Sequence, residues 1–373
     1  MHCHAKFLTC LLAGTFLSLP SAAAPRHKPG SDAGDVYVLT NQASGNGVMV
    51  FHRLPSGKLS PRVVYPTGGN GAGSGPDPLG SQNPLVLNET RKILLAVNAG
   101  SDSVSGFRAG GDILTLANTV PSGGTMPVSV TVRGNLVYVL NAGGGAPNIS
   151  GFTLNTNTGA LTPVANSTQP LPGGSASAAA EIAFVPGEQV LVVTEKGTDQ
   201  IDTFALDDNG LAQPGAAFHS RRPEPFGFAF AQNVAVISDA AGGKPNKAAL
   251  SSYKIRAGKN PKTISAGVPD TQTAACWVAV TDDGTHAYAV NTASGTVSSY
   301  GVSVGGELTL TDATAAGGNV PADISLSTAS QFVYVRNGGD GTVEGFIVNS
   351  DGSLTPLTLG SGLPDGAAGL AAR

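Results

Sequence analysis

Glu195 closes a β-branched run, Val190-Leu191-Val192-Val193-Thr194, and Lys196 follows it at once. A carboxylate beside an ammonium at the end of a buried strand can do acid–base chemistry, because burial and a neighbouring charge both shift proton affinity. A solvated loop pair is the plainer reading of the same two residues. Glu181 stands upstream in the same copy of a repeat described below, in a small-residue stretch. His219, Arg221, Arg222 and Glu224 gather just before Phe226. Arg222 suits a ligand contact through its planar fork of donors, with an exposed loop as the alternative. Asp239 ends another β-branched run, and Asp323 and Arg336 lie in the last copy. Cys276-Trp277 holds the one tryptophan, which is either a stacking surface or core filler. Cys276 reads as a buried small hydrophobe rather than a nucleophile.

Seven β-branched runs position these groups. They are Val36–Asn41, Ile93–Asn98, Leu136–Asn141, Val190–Glu195, Val234–Asp239, His286–Asn291 and Phe332–Asn337. From Asn41 to Asn337 they recur about every 49 residues, a propeller-like period. A second strand follows each, with an aromatic at a fixed place: Phe51, Phe107, Phe152, Phe204, Tyr253, Tyr300 and Phe346. Such a residue fits packing between stacked sheets. Glycine turns then lead to Leu59, Leu116, Leu161, Leu211, Leu308 or Leu354, the expected start of an outer strand. Before the anchors lie strands rich in small residues, such as Pro127–Val130, Phe226–Ala229 and Trp277–Val280. Small side chains belong where strands converge on a central channel.

These patterns predict an all-β, seven-bladed β-propeller of four-stranded antiparallel blades. The first copy lacks an inner strand, and the last has a surplus segment, Pro364–Ala372. The C-terminal segment is therefore expected to complete the first blade and close the ring, which removes a sheet edge. In such a blade the start of the inner strand and the end of the anchor share one face. The polar residues singled out above thus converge on one channel mouth, the default pocket. Five anchors end there in Asn, a donor and acceptor that most often satisfies turn backbone.

The first residues read as a signal peptide: Lys6, the apolar run Phe7–Leu19, and Ser21-Ala22-Ala23 before a cleavage placed after Ala23. Residues 24–34 read as a linker and 35–373 as one domain. Beyond the signal peptide only Cys276 remains, so no internal disulfide can form. Export without disulfides suits a bacterial periplasm or medium. A net charge of −4 with 12% charged residues gives no basic patch for nucleic acid. No other segment is long and apolar enough to span a membrane. His27, His52, His219 and His286 are scattered, so no metal is expected, and no phosphate loop or nucleophile elbow is present. No cofactor is expected, and a monomer binding a small molecule is.

The Val-Tyr-Val strands and the Gly-x-Leu-Thr turns at Gly159, Gly306 and Gly352 resemble the lactonase-type seven-bladed propellers over essentially the whole mature chain. That family includes bacterial 6-phosphogluconolactonase and fungal carboxy-muconate cyclase. Val193-Thr194-Glu195-Lys196, Pro225-Phe226-Gly227-Phe228 and Ala275-Cys276-Trp277-Val278 look like an exported bacterial branch. The resemblance implies hydrolysis, or formation, of a lactone of a small carbohydrate or carboxylic acid. Glu195 matches the family's strand-terminal glutamate and would act as general base, with Arg222 steadying the oxyanion and Glu181 as acid or orienter. Trp277 would form an apolar wall. Asp323, Lys196, His219, Glu224 and Asp239 would complete substrate binding. Ala180-Glu181 stands where the family carries Arg-His, and Pro127-Val128 lacks the usual histidine. Losing these groups argues against a phosphosugar. A non-catalytic binding or scaffold propeller of the cell envelope is the competing reading.

Overall fold

The anchor runs are strands in all seven copies, and Ile93–Asn98, Val190–Glu195, Val234–Asp239 and Phe332–Asn337 are buried along their whole length. A central strand covered on both faces has no solvent side, so it reads as a continuous apolar run rather than an alternating one. This computed structural model describes residues 33–110, 113–357 and 359–373. The signal peptide expected over residues 1–23 lies outside the described residues. The first strand begins at Gly34, inside the linker expected over 24–34.

The strands form seven antiparallel sheets, each running from an inner strand through the anchor to an outer edge, the blades of a β-propeller. All seven recurrent aromatics, from Phe51 to Phe346, are buried. The tyrosines of the Val-Tyr-Val pattern stitch neighbouring blades. The hydroxyls of Tyr138, Tyr288 and Tyr334 donate to the carbonyls of Gly210, Gly352 and Gly57, at 2.8, 3.0 and 2.7 Å. Each acceptor sits in the hairpin turn of the next blade with φ near +80°, a conformation that favours glycine. One motif thus places a turn and a cross-blade bond, the latter contributing about 1 kcal/mol.

Closure follows the expected route. Ala368–Ala372 pairs antiparallel with Gly34–Leu39, setting Val36 opposite Ala372 and Val38 opposite Leu370. Arg373 forms an ion pair with Asp35, and Arg53 Nε donates to the Arg373 carbonyl at 3.0 Å.

The outer strands depart from expectation. Leu211 makes no strand: Gln213-Pro214-Gly215 interrupts the edge, and blade 4 resumes only at Ala216–His219. Proline cannot donate to a ladder, so an edge tolerates such a break where a central strand would not. Blades 3 and 7 carry split outer strands, Leu161–Pro163 with Gln169–Pro170 and Leu354–Pro356 with Gly360–Ser361. Among the described residues no helix is long and apolar enough to cross a membrane.

Candidate functional site

The rim where the anchors end is a repeated polar belt. Asn98 Nδ2 donates to Ser105 Oγ at 2.8 Å, Asn141 to Asn148 Oδ1 at 3.0 Å and Asn291 to Ser298 Oγ at 2.8 Å. Each pair links the anchor to the third strand of its own blade. A glycine from the preceding loop lies against several of these residues. Added Cβ atoms at Gly69, Gly124 and Gly318 would come within 2.6, 2.7 and 2.3 Å of Asn98, Asn141 and Asn337.

Glu195 occupies this belt position in blade 4. It is fully buried, and its Oε1 accepts the Gly173 N–H at 3.0 Å while Oε2 accepts the Thr198 hydroxyl. Its partner across the blade is Asp202, likewise fully buried, whose two oxygens receive no N–H or hydroxyl. Burial first, and then the adjacent Glu195, raise the proton affinity of Asp202. An unfolded Asp202 would release its proton, so this group's contribution to stability is lost as pH rises above the ordinary carboxylate range. A Glu195→Gln variant, whose amide can donate to an ionised Asp202, should flatten this slope. Urea melts at pH 6 and pH 8.5 measure it, and an unaltered slope would show that Glu195 is not what raises Asp202.

The channel mouth is built differently. The loop joining blade 1 to blade 2 crosses it and sends Gln82 into the channel. The Gln82 amide donates to the carbonyls of Val278 at 2.9 Å and Phe228 at 3.2 Å and accepts the Val278 N–H at 2.9 Å. Glu181, on the inner strand of blade 4, reaches across the same space. It accepts from Asn83 Nδ2 at 2.6 Å and from the Phe228 N–H at 2.5 Å. Burial outweighs those two donors and raises Glu181 well above the usual carboxylate range. Asp323, at the inner strand of blade 7, is pushed up to about 7 by burial, against the pull of the Arg336 guanidinium. Trp277 Nε1 donates to the Ser81 carbonyl at 2.9 Å. Its ring packs 5.1 Å from that of Phe226, and the Lys196 ammonium sits 4.4 Å from the Phe226 ring centre. Burial lowers the proton affinity of Lys196 and raises that of Asp77, a loop residue in the field of both Lys196 and Arg336.

The family model described as "Lactonase, 7-bladed beta-propeller" matches residues 74–224 and 244–362. The chain belongs to this lactonase family. Solved structures share the fold at low identity. A Pseudomonas aeruginosa periplasmic gluconolactonase is 15% identical with a TM-score of 0.71, over 91% of this chain and 98% of the other. A candidate 6-phosphogluconolactonase from Bacteroides uniformis is 17% identical with a TM-score of 0.68, over 90% and 98%. One from Bacteroides fragilis is 19% identical with a TM-score of 0.65, over 90% and 97%. A search of curated proteins gave no match.

In this lactonase-family propeller the residues singled out by sequence divide. Glu181, Lys196, Trp277 and Asp323 meet at the channel mouth. Glu195 faces into blade 4, and its partners Gly173, Thr198 and Asp202 all belong to that blade or the loop leading to it. Arg222 packs over Gly267, donates to the Lys247 carbonyl at 2.9 Å and lies in the field of Asp239. Asp239 accepts the Ser251 hydroxyl at 2.6 Å, and burial pushes it up to about 7. Glu224 accepts the Gly242 N–H at the rim. His219 is exposed on the outer strand, beside a surface groove of about 350 Å³ shared with Arg221 and Tyr253. Cys276 is buried, and burial raises its thiol. Among the described residues no group of three His, Cys, Asp or Glu side chains could hold a metal.

Asp77, Gln82 and Asn83 are absent from the sequence reading. Their stretch, from Thr67 to Pro84, looks like a glycine-rich spacer. Its one signal is Asn83-Pro84 ahead of a short apolar strand, the place where Met126-Pro127 leads into the inner strand of blade 3.

Proposed function

We propose that the protein hydrolyses a small lactone at this channel mouth. The observation that carries the reading is a pair of buried carboxyls, Glu181 and Asp323, in one another's field at the channel mouth and both raised above the usual carboxylate range, with the Lys196 and Arg336 cations beside them. Asp323, near 7, serves as general base, and Glu181, held well above the usual carboxylate range by burial, serves as general acid. A carboxyl kept protonated by burial can donate a proton, and one that titrates near 7 can accept one. Asp323 takes a proton from water as its oxygen bonds to the lactone carbonyl carbon. The ring C–O bond then breaks, and the leaving alkoxide takes a proton from Glu181. Lys196 and Arg336 stabilise the oxyanion, and Trp277 with Phe226 forms the apolar wall.

Glu195 and Arg222 take supporting parts in this scheme. Glu195 accepts from Gly173 and Thr198 on either side of Lys196, so it holds the turn that aims the ammonium. Arg222 balances Asp239.

The test is acid release from a panel of sugar and aliphatic lactones incubated with the purified chain from residue 24 onward. Ring opening well above the spontaneous rate is expected for at least one member. Rates equal to buffer across the panel would refute the reading. We further propose export to a bacterial periplasm or medium, on the signal-peptide pattern of residues 1–23. Fractionation of cells making the full chain or a form starting at residue 24 checks it, with loss of export expected for the shorter form.

A further inference from the structure

Two cations at the channel mouth, Arg336 buried and Lys196 half-buried, are bound to backbone carbonyls instead of acids. Arg336 is 2% exposed and donates to the carbonyls of Pro76, at 3.2 Å from both terminal nitrogens, and Ala322. Its Nε is buried without a partner. Lys196 Nζ donates to the Gly80 carbonyl. The ion pairs among the described residues are those of Asp35 with Arg373 and His52, so neither Lys196 nor Arg336 touches a carboxylate. A buried cation without a contacting counter-ion favours an anion wherever one can reach it.

Both cations are occupied by one short segment of the chain. Pro76 and Gly80 supply the carbonyls, and Asp77 between them lies in the field of both charges. Asp77 is held by its own turn, through the Gly80 N–H at 3.0 Å. The segment therefore presents to Arg336 and Lys196 two carbonyl oxygens and one carboxylate. An organic acid that also carries an ester carbonyl would present the same groups.

The segment is lightly attached. Ahead of it Ala72 and Gly73 donate to Asn41 at 2.9 and 3.1 Å, and Leu79, at 6% exposure, is the one apolar side chain the segment itself buries. Between them Ser74 and Pro76 are exposed, and Gly75 makes only long contacts to Asp365, at 3.3 and 3.4 Å. Gly75 has φ +109° with open space around it, a hinge no packing restrains.

We propose that Gly75–Gly80 is a displaceable flap standing in for substrate, and that the substrate is a lactone carrying a free carboxylate, which replaces the flap on Arg336 and Lys196. The lactone part rests on the proposed hydrolysis; the carboxylate site does not.

The probe is D-glucarate, a sugar dicarboxylate with no ring to open, against the neutral D-glucitol. Two readouts on the chain from residue 24 follow the flap: emission of the single tryptophan, coupled to Lys196 through the Phe226 ring, and amide hydrogen exchange over residues 73–80. Glucarate should shift the emission saturably and raise exchange, while glucitol does neither. Lys196→Met should weaken glucarate binding at least tenfold, with Lys196→Arg keeping most of it. Asp77→Asn removes the competing internal carboxylate and should tighten binding several-fold, a gain no misfolded variant would show. An absent glucarate response, or unchanged affinity in both Lys196→Met and Asp77→Asn, overturns the proposal. Glucarate binding without turnover of any lactone would sink the hydrolysis and leave the flap. Turnover of neutral lactones without glucarate binding would sink the flap and leave the hydrolysis.

Discussion

Asp323→Asn is expected to lower kcat for lactone opening by roughly 100- to 10,000-fold, the range for loss of a general base. KM should change little, because Lys196 and Arg336 still hold the substrate. The pH profile supplies the sharper readout. A base must be ionised to work, so wild-type activity should rise as pH climbs through about 7, and the variant should lose that limb. Stability moves the opposite way. The folded protein keeps a proton on Asp323 that the unfolded chain releases near pH 4, so stability falls as pH rises from about 4 to about 7. The slope is at most about 1.4 kcal/mol per pH unit. Asn keeps an acceptor for the Ile324 N–H, held at 2.8 Å by Asp323, and lacks the titration, so the variant should melt no lower than wild type at pH 7. A stable variant with more than about a tenth of wild-type kcat would remove Asp323 from the chemistry.

Removing residues 367–373 should abolish cooperative folding or lower Tm by well over 10 °C, by roughly the scaling of free energy to Tm. The segment buries Ala368, Leu370, Ala371 and Ala372. At about 0.8 kcal/mol per buried methylene-sized group, with about 1 kcal/mol for each lost ladder bond, the loss is on the order of 5–10 kcal/mol. That rivals the whole stability of a typical domain. The deletion also strips Gly34–Leu39 of its inner partner and removes the ion pair of Arg373 with Asp35. A circular permutant that joins residue 373 to residue 33 through a short linker and opens the chain between the exposed Val304 and Gly305 should keep its Tm. Circular-dichroism melts compare the two, and a truncated chain melting like the parent would mean the ring holds without its closing strand.

Much of this architecture is legible residue by residue. Tyr138 and Tyr288 sit mid-run because their hydroxyls must reach a glycine turn in the next blade, and Gly210 and Gly352 provide that turn with no Cβ in the way. The missing first inner strand and the alanine-rich C-terminus point to each other for the same local reason. Glu195 shows where such reading stops. Its position at an anchor end places it on the correct rim. The antiparallel register then sets Glu195 opposite Gln200 and Val193 opposite Asp202, so its carboxyl turns along the blade. Nothing in the one-dimensional pattern separates that direction from the channel, because Asn98 and Asn141 occupy the same place for purely structural ends.

The sequence by itself determines the seven blades, their strand order and the closure of the ring, since these follow from short-range periodicity and turn chemistry repeated seven times. The membership of the channel mouth is decided only by the tertiary structure. Pro76 meets Arg336 across 260 residues, and Ser81 meets Trp277 across 196. Closing the ring gathers the inner strands of all the blades around one channel, and a segment that looks like a spacer lies across it. The groups proposed to do chemistry here, Asp323, Glu181, Lys196 and Arg336, are therefore brought together by ring geometry, while Glu195 keeps the place its repeat assigns and accepts from Gly173 and Thr198.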